Sequence, residues 1–190
     1  DRIVSVFRAC KRTGKTLIID LYTAIILEAT GNKRIPQSNW PNIAIYIPQR
    51  QRVQIKNNQW FDLIKRHSKN RIFIEDLKQI STKSVLLFRP IHISDLEKAE
   101  LMDNAVYVYS QWEGYWERDS FSFIKEWLSK HNIIKISIHT SGHASIDHLK
   151  QFAEALKPLR LVPIHTFMPE TYKELFNNVE LHIDGEYWEV

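Results

Sequence analysis

The chain has 190 residues, 44% hydrophobic and 25% charged, with a formal net charge of +4 and one cysteine. A soluble globular mix of this length buries roughly 70% of its unfolded surface in a core without staples. Cys10 has no intramolecular partner, which favours a reducing, cytoplasmic setting; no apolar run spans a bilayer and no signal-peptide pattern opens the chain.

The elements alternate. Arg2–Arg12 carries Ile3, Val4, Phe7 and Ala9 at helical spacing and stops at Gly14; it begins at Asp1 rather than Met, so a chain continuing upstream is expected. Thr16–Ile19 reads as a short apolar strand. Asp20 stands where a helix N-cap belongs, ahead of a helix over Leu21–Ala29 closed by Gly31. Residues 43–47 predict a strand ended by Pro48, residues 60–66 a helix, 72–74 a short strand and 76–80 a short helix. A strand over 84–88 closes at Pro90, Ser94 caps a helix through Leu101, and 105–109 form a strand. The amphipathic stretch 120–130 carries Phe123, Ile124, Trp127 and Leu128. After it come a strand over 133–138, a helix over 145–156 ended near Pro158, a strand over 161–164 and a helix over 171–177. A hairpin is expected of 180–183 and 187–189 across Asp184-Gly185. Strand–helix alternation implies an α/β fold, a mostly parallel sheet flanked by helices.

Charge is unevenly spread. Residues 1–70 hold 13 Lys+Arg against 4 Asp+Glu, and residues 71–190 hold 13 against 18. A basic first segment suits an anionic partner, although solvated helix faces explain the same numbers.

Ligands of parallel sheets sit beyond the carboxyl ends of the strands. That rule selects Asp20, Ser110, His139 to His143 and His165, each just after an apolar strand. In Ile136-Ser-Ile-His139-Thr-Ser-Gly-His143-Ala144, a strand delivers a polar loop with a helix immediately following. Gly142 lets the backbone approach a ligand, and the amides of Gly142, His143 and Ala144 form a phosphate seat. His139 and His143 flank that seat and can donate a proton to a leaving oxygen. The plainer alternative is a Ser141 N-cap between two surface histidines. In Leu161-Val-Pro-Ile-His165-Thr166, a histidine ends the next strand, 22 residues after His143. A strand–helix–strand unit brings both ends to one edge, where a neutral imidazole can bind metal. Tyr107-Val-Tyr-Ser110-Gln-Trp-Glu-Gly114-Tyr-Trp116 runs a strand into an aromatic loop. Ser110 could hold a backbone phosphate while Trp112 or Tyr115 stacks on a base; a buried aromatic cluster is the alternative.

A serine loop after one strand, HxSGHA after the next and a Pro-Ile-His strand end resemble the β-CASP family of metallo-β-lactamase-fold nucleases, which includes ribonuclease J-type enzymes, the cleavage and polyadenylation endonuclease and Artemis-type nucleases. The resemblance is close from Ala105 to His165 and looser elsewhere. It implies a β-CASP cap over 1–131, followed over 132–190 by the C-terminal strand–helix–strand part of the metallo-β-lactamase fold. It implies that His143 assists phosphodiester cleavage, with His139, Ser141, Gly142 and Ala144 lining the scissile phosphate. Ser110 would contact substrate and His165 would bind one of two zinc ions. The family's His-x-His-x-Asp-His motif is absent, and one ligand cannot hold a catalytic zinc. Asp20 has no counterpart in the family's acidic motif and reads as a helix cap. His67, His92, His131, His148 and His182 lack ligand spacing and read as surface or core residues.

The resulting expectation is part of a zinc-dependent metallo-hydrolase that cleaves nucleic-acid phosphodiester bonds, RNA sooner than DNA, and is inactive on its own. The alternatives are a non-catalytic nucleic-acid-binding scaffold subunit and a hydrolase of small esters. A homo-oligomer is compatible with either.

Overall fold

A computed structural model describes residues 2–139, 142 and 144–189. Two compact units divide the chain, residues 1–109 with 113–137, and residues 110–112 with 138–190.

The larger unit is built on a parallel sheet. Helix α1 (Arg2–Arg12) turns Ile3, Val6, Phe7 and Cys10 inward, the i, i+3, i+4, i+7 spacing of one buried stripe. Strand β1 (Thr16–Ile19) leads into α2 (Leu21–Ala29), and β2 (Ile43–Tyr46) leads into α3 (Gln49–Asn57) and α4 (Phe61–Arg66). Strand β3 (Arg71–Ile72), α5 (Ile74–Ile80), β4 (Ser84–Leu86) and α6 (Ile93–Lys98) follow. The strand order is β3-β2-β1-β4, with every pairing parallel and Leu17 opposite both Ile43 and Val85. The chain steps outward from β1 to β3 and then returns to the other side of β1, so a topological switch lies between β1 and β4.

The central strands are buried on both faces, which explains their unbroken apolar runs. Alternation along each strand sends Leu17, Ile19, Ile43 and Ile45 to a cluster with Phe7, Cys10, Leu27 and Ile55. Ile18, Ala44 and Tyr46 point to the opposite face, against Leu77, Leu96 and Leu101. Helices α1 to α4 therefore cover one face, and α5 and α6 the other.

A second parallel pair, β5 (Val106–Tyr109) with β6 (Ile134–Ser137), belongs to the same unit. Its inner face is aromatic. Tyr109 packs on Trp116 from the short helix α7 (Glu113–Trp116), 5.0 Å between rings, and Phe88 stacks on Trp127 of α8 (Ser122–Lys130) at 5.4 Å. Lys135 pairs with Glu113 and lies 4.5 Å over the Trp116 ring, which seats its charge beside β6. On the outer face Val106 and Val108 stand exposed opposite Ile134 and Ile136.

The smaller unit holds α9 (Ile146–Leu156) and α10 (Tyr172–Leu175), and none of its described residues is buried. Two expectations change here. Residues 161–164 form no strand; Leu161 makes a single parallel bridge to Val179, through Leu161 N–H to Asn178 O at 2.9 Å and Glu180 N–H to Leu161 O at 3.0 Å. Pro163 has no N–H to extend a ladder. The turn at Asp184-Gly185 forms, with Glu186 N–H donating to Ile183 O at 3.1 Å, but the hairpin does not. Gly185 has φ +84° while Asp184 stays outside the left-handed region, and a turn of that hand does not match the twist of paired strands. No helix among the described residues is long and apolar enough to cross a membrane.

The chain leaves the larger unit after β6, at 137/138, and the short segment 110–112 after β5 also belongs to the smaller unit.

Asp20 caps α2 and accepts from the buried Gln51 Nε2 at 2.9 Å, so Asp20→Ala removes the cap and strands that amide, and the larger unit should lose roughly 2–4 kcal/mol. Urea unfolding of the variant checks this; a loss below the cost of an ordinary cap would mean that the buried bonds contribute nothing.

Candidate functional site

The carboxyl edge of the four-stranded sheet is polar and fully assembled. Asp20 leaves β1 in extended conformation (φ −86°, ψ 169°) and caps α2, its Oδ1 accepting from Thr23 N–H at 2.8 Å. Its Oδ2 accepts from Gln51 Nε2 at 2.9 Å and from Arg89 Nη1 at 2.8 Å. The carboxylate is 0% exposed, so three elements (α2, α3 and the segment after β4) meet on one buried charge.

The consequence for Arg89 is orientation. Its guanidinium is fixed at one end by Asp20 and lies 4.6 Å over the ring of Tyr22, with 42% of the side chain exposed. A planar cation held this way presents its outer N–H groups to solvent in a fixed fork, the geometry that suits a phosphate. Tyr22 beside it is exposed and offers an aromatic face. The α2 N-terminus itself is taken by Asp20, which closes the usual seat for a dinucleotide pyrophosphate.

His92 lies under this edge with 0% exposure. Its Nδ1 is 3.0 Å from both the N–H and the carbonyl of Arg89, and its Nε2 is buried with no hydrogen-bond partner among the described residues. Burial pushes its pKa below the ordinary histidine value, as it does for His67, whose Nδ1 meets Ser38 Oγ at 2.8 Å. A second buried carboxylate, Asp95 of α6, accepts from Tyr46 Oη at 2.6 Å and from Gln49 N–H at 2.8 Å, so α6 caps α3 across the sheet.

Of the residues expected at the site, the structure brings together Ser110 and His139. The ring Nδ1 of His139 is 3.4 Å from the Ser110 carbonyl, a long contact inside the smaller unit that joins the segment leaving β5 to the segment leaving β6. The ring of His139 is exposed. Ser141 and His143 lie outside the described residues, so the approach of His143 to His165 does too. The helix after the motif begins at Ile146 with Ser145 as its N-cap, in line with the helix expected over 145–156. The capping hydroxyl of Ser145 accepts from His148 N–H at 3.3 Å, the signal for a start here rather than at Ser141. Gly142 and Ala144 are exposed; a Cβ on Gly142 would meet nothing within 4 Å. His165 is exposed at φ +57°, a left-handed conformation that costs a non-glycine residue about 1 kcal/mol or more.

Trp112 and Tyr115 are exposed, whereas Tyr109 and Trp116 are buried, so the aromatic loop divides into a core half and a solvent half. Among the described residues no three His, Cys, Asp or Glu side chains converge as metal ligands.

Sequence reasoning selected Asp20 as a cap and missed Gln51, Arg89, His92 and Asp95. The strand-end rule, applied to β4 as it was to β1, would have reached Arg89 and His92 in Phe88-Arg89-Pro90-Ile91-His92. No protein-family model, curated protein or solved structure matches this chain.

His67 and His92 both have folded-state pKa values below 6.5. Below that pH the unfolded chain takes up protons that the folded chain refuses, so their stabilising contribution is full above 6.5 and lost as pH falls through the window beneath it. Stability should drop by roughly 1.4 kcal/mol per histidine per pH unit there. Urea midpoints between pH 7 and 5 check this, and His67→Gln should flatten the slope; a pH-independent midpoint would refute the assignment.

Proposed function

We propose that this chain is the substrate-gripping cap and site wall of a β-CASP-type metallo-hydrolase that cleaves nucleic-acid phosphodiester bonds, with RNA the better substrate than DNA. The observation that carries the reading is the Ser110–His139 contact, which joins two of the three motif segments in the order the resemblance requires. In this reading His139 and His143 flank the scissile phosphate, with Ser110, Ser141, Gly142 and Ala144 against its oxygens. The exposed His139 imidazole can take or return a proton at the reacting oxygen. His165 is one ligand of a zinc pair whose remaining ligands come from sequence beyond these 190 residues; zinc supplies Lewis acidity when bound.

The parallel α/β sheet supports the reading, as does the basic balance of residues 1–70. Arg89, stacked on Tyr22 and anchored by Asp20, is the strongest candidate for a backbone-phosphate contact in the larger unit.

Fluorescence anisotropy with single-stranded RNA tests it. Affinity should fall roughly tenfold or more between 50 and 200 mM salt, as three or four neutralised phosphates require. Arg89→Ala should weaken binding and flatten that salt dependence. Absent or salt-insensitive binding sinks the reading. With zinc added, these residues alone should turn over no RNA. Robust turnover would overturn the division of labour, and tight binding without cleavage by any longer form of the chain would favour a scaffold subunit.

A further inference from the structure

The larger unit also contains a cavity that the RNA reading does not use. The end of β2, the first turns of α3 and α5, and α6 border an open pocket of about 330 Å³ at the carboxyl edge of the sheet. That volume is at the lower end of small-molecule sites.

Its charge is what defines it. Arg52 of α3, Lys78 of α5 and Lys98 of α6 line the space, three cations delivered by three separate helices. A solvated helix face would carry them on one element. Asp95 faces the same space, but its carboxylate is committed to Tyr46 Oη and Gln49 N–H, with Arg52 Nη2 at 4.0 Å. Arg52 Nε is buried without a hydrogen-bond partner among the described residues. Neither Lys78 nor Lys98 has an ion-pair partner among the described residues. Two carboxylates face these three cations, Asp95 and Glu75, which leaves a net charge of +1; Glu75 has no hydrogen bond or ion pair among the described residues.

We propose that this cavity binds a free sugar monophosphate. Arg52, Lys78 and Lys98 hold the phosphate dianion; the two ammonium groups act as point charges and the guanidinium as a fork. Glu75 accepts from a sugar hydroxyl, and Ile74 with Ala99 supplies the apolar wall for its carbon face. Tyr46, whose pKa is raised by burial and by Asp95, stays a neutral phenol at the base of the site. The site is separate from Arg89 and Tyr22 and does not rest on the nuclease reading.

Isothermal titration of the full chain with ribose 5-phosphate, inorganic phosphate and ribose tests the assignment. One saturable ribose 5-phosphate site is expected, with ribose not binding. The Lys78→Gln/Lys98→Gln double variant should lose at least tenfold in affinity; both side chains are exposed, so its melting temperature should match the parent. Glu75→Gln should weaken ribose 5-phosphate several-fold and leave inorganic phosphate unchanged. The proposal fails if neither phosphate compound binds saturably, or if the double variant keeps its affinity. Equal affinity for both phosphate compounds, with Glu75→Gln silent, overturns the sugar assignment. Arg89→Ala should not alter the titration, which separates failure here from failure of RNA binding.

Discussion

One buried carboxylate organises the larger unit. Asp20 accepts a backbone N–H from α2, a side-chain amide from α3 and a guanidinium from the segment after β4, all within 2.9 Å. A charge with no exposure is tolerated in an interior when it is paired and hydrogen-bonded. That requirement fixes three loops at once, because removing any partner leaves the others unsatisfied. Asp95 repeats the device one strand over, tying α6 to α3 through Gln49 N–H and to β2 through Tyr46.

The two carboxylates make the carboxyl edge stiff where a parallel sheet is usually loopy. Preorganised charges interact with a ligand at less entropic cost than charges on free side chains. Arg89 gains most: stacked on one aromatic ring and pinned to one carboxylate, it has lost much of the rotamer freedom of a surface arginine. None of the described carboxylates of the smaller unit is buried; its contacts include one bridge, the Ser110–His139 contact, the Arg160–Glu180 ion pair at 3.6 Å, Asn178 Nδ2 donating to Pro158 O at 2.6 Å, and a ring stack of His182 on Trp188.

Local pattern accounts for what the sequence made legible. The spacing of Ile3, Phe7 and Cys10, the apolar runs of β1 and β2, and Asp20 before Leu21 each report a neighbour within four residues, so α1, β1 and α2 have their expected bounds. Helix α3 escaped because Gln-Arg-Gln-Arg-Val-Gln-Ile has no apolar stripe; it buries Gln51 beside Ile55 for the sake of Asp20. The site escaped for a related reason. Gln51 and Arg89 are 31 and 69 residues from Asp20, and nothing in either local pattern marks a residue that will meet a buried charge. Ser110 and His139 were reachable because parallel neighbours share an edge and that rule needs only strand ends. Residues 161–164 failed as a strand because an apolar run interrupted by Pro163 satisfies hydropathy without supplying a ladder of donors.

Cys10 closes the inner stripe of α1 with 1% of its surface exposed, and burial raises its pKa above the ordinary thiol value. The thiolate needed for alkylation is thus scarce, and reagent reaches it when α1 lifts from β1. The sole sulfhydryl of the sequence is a built-in clock for that opening: its labelling rate measures how often the first helix detaches.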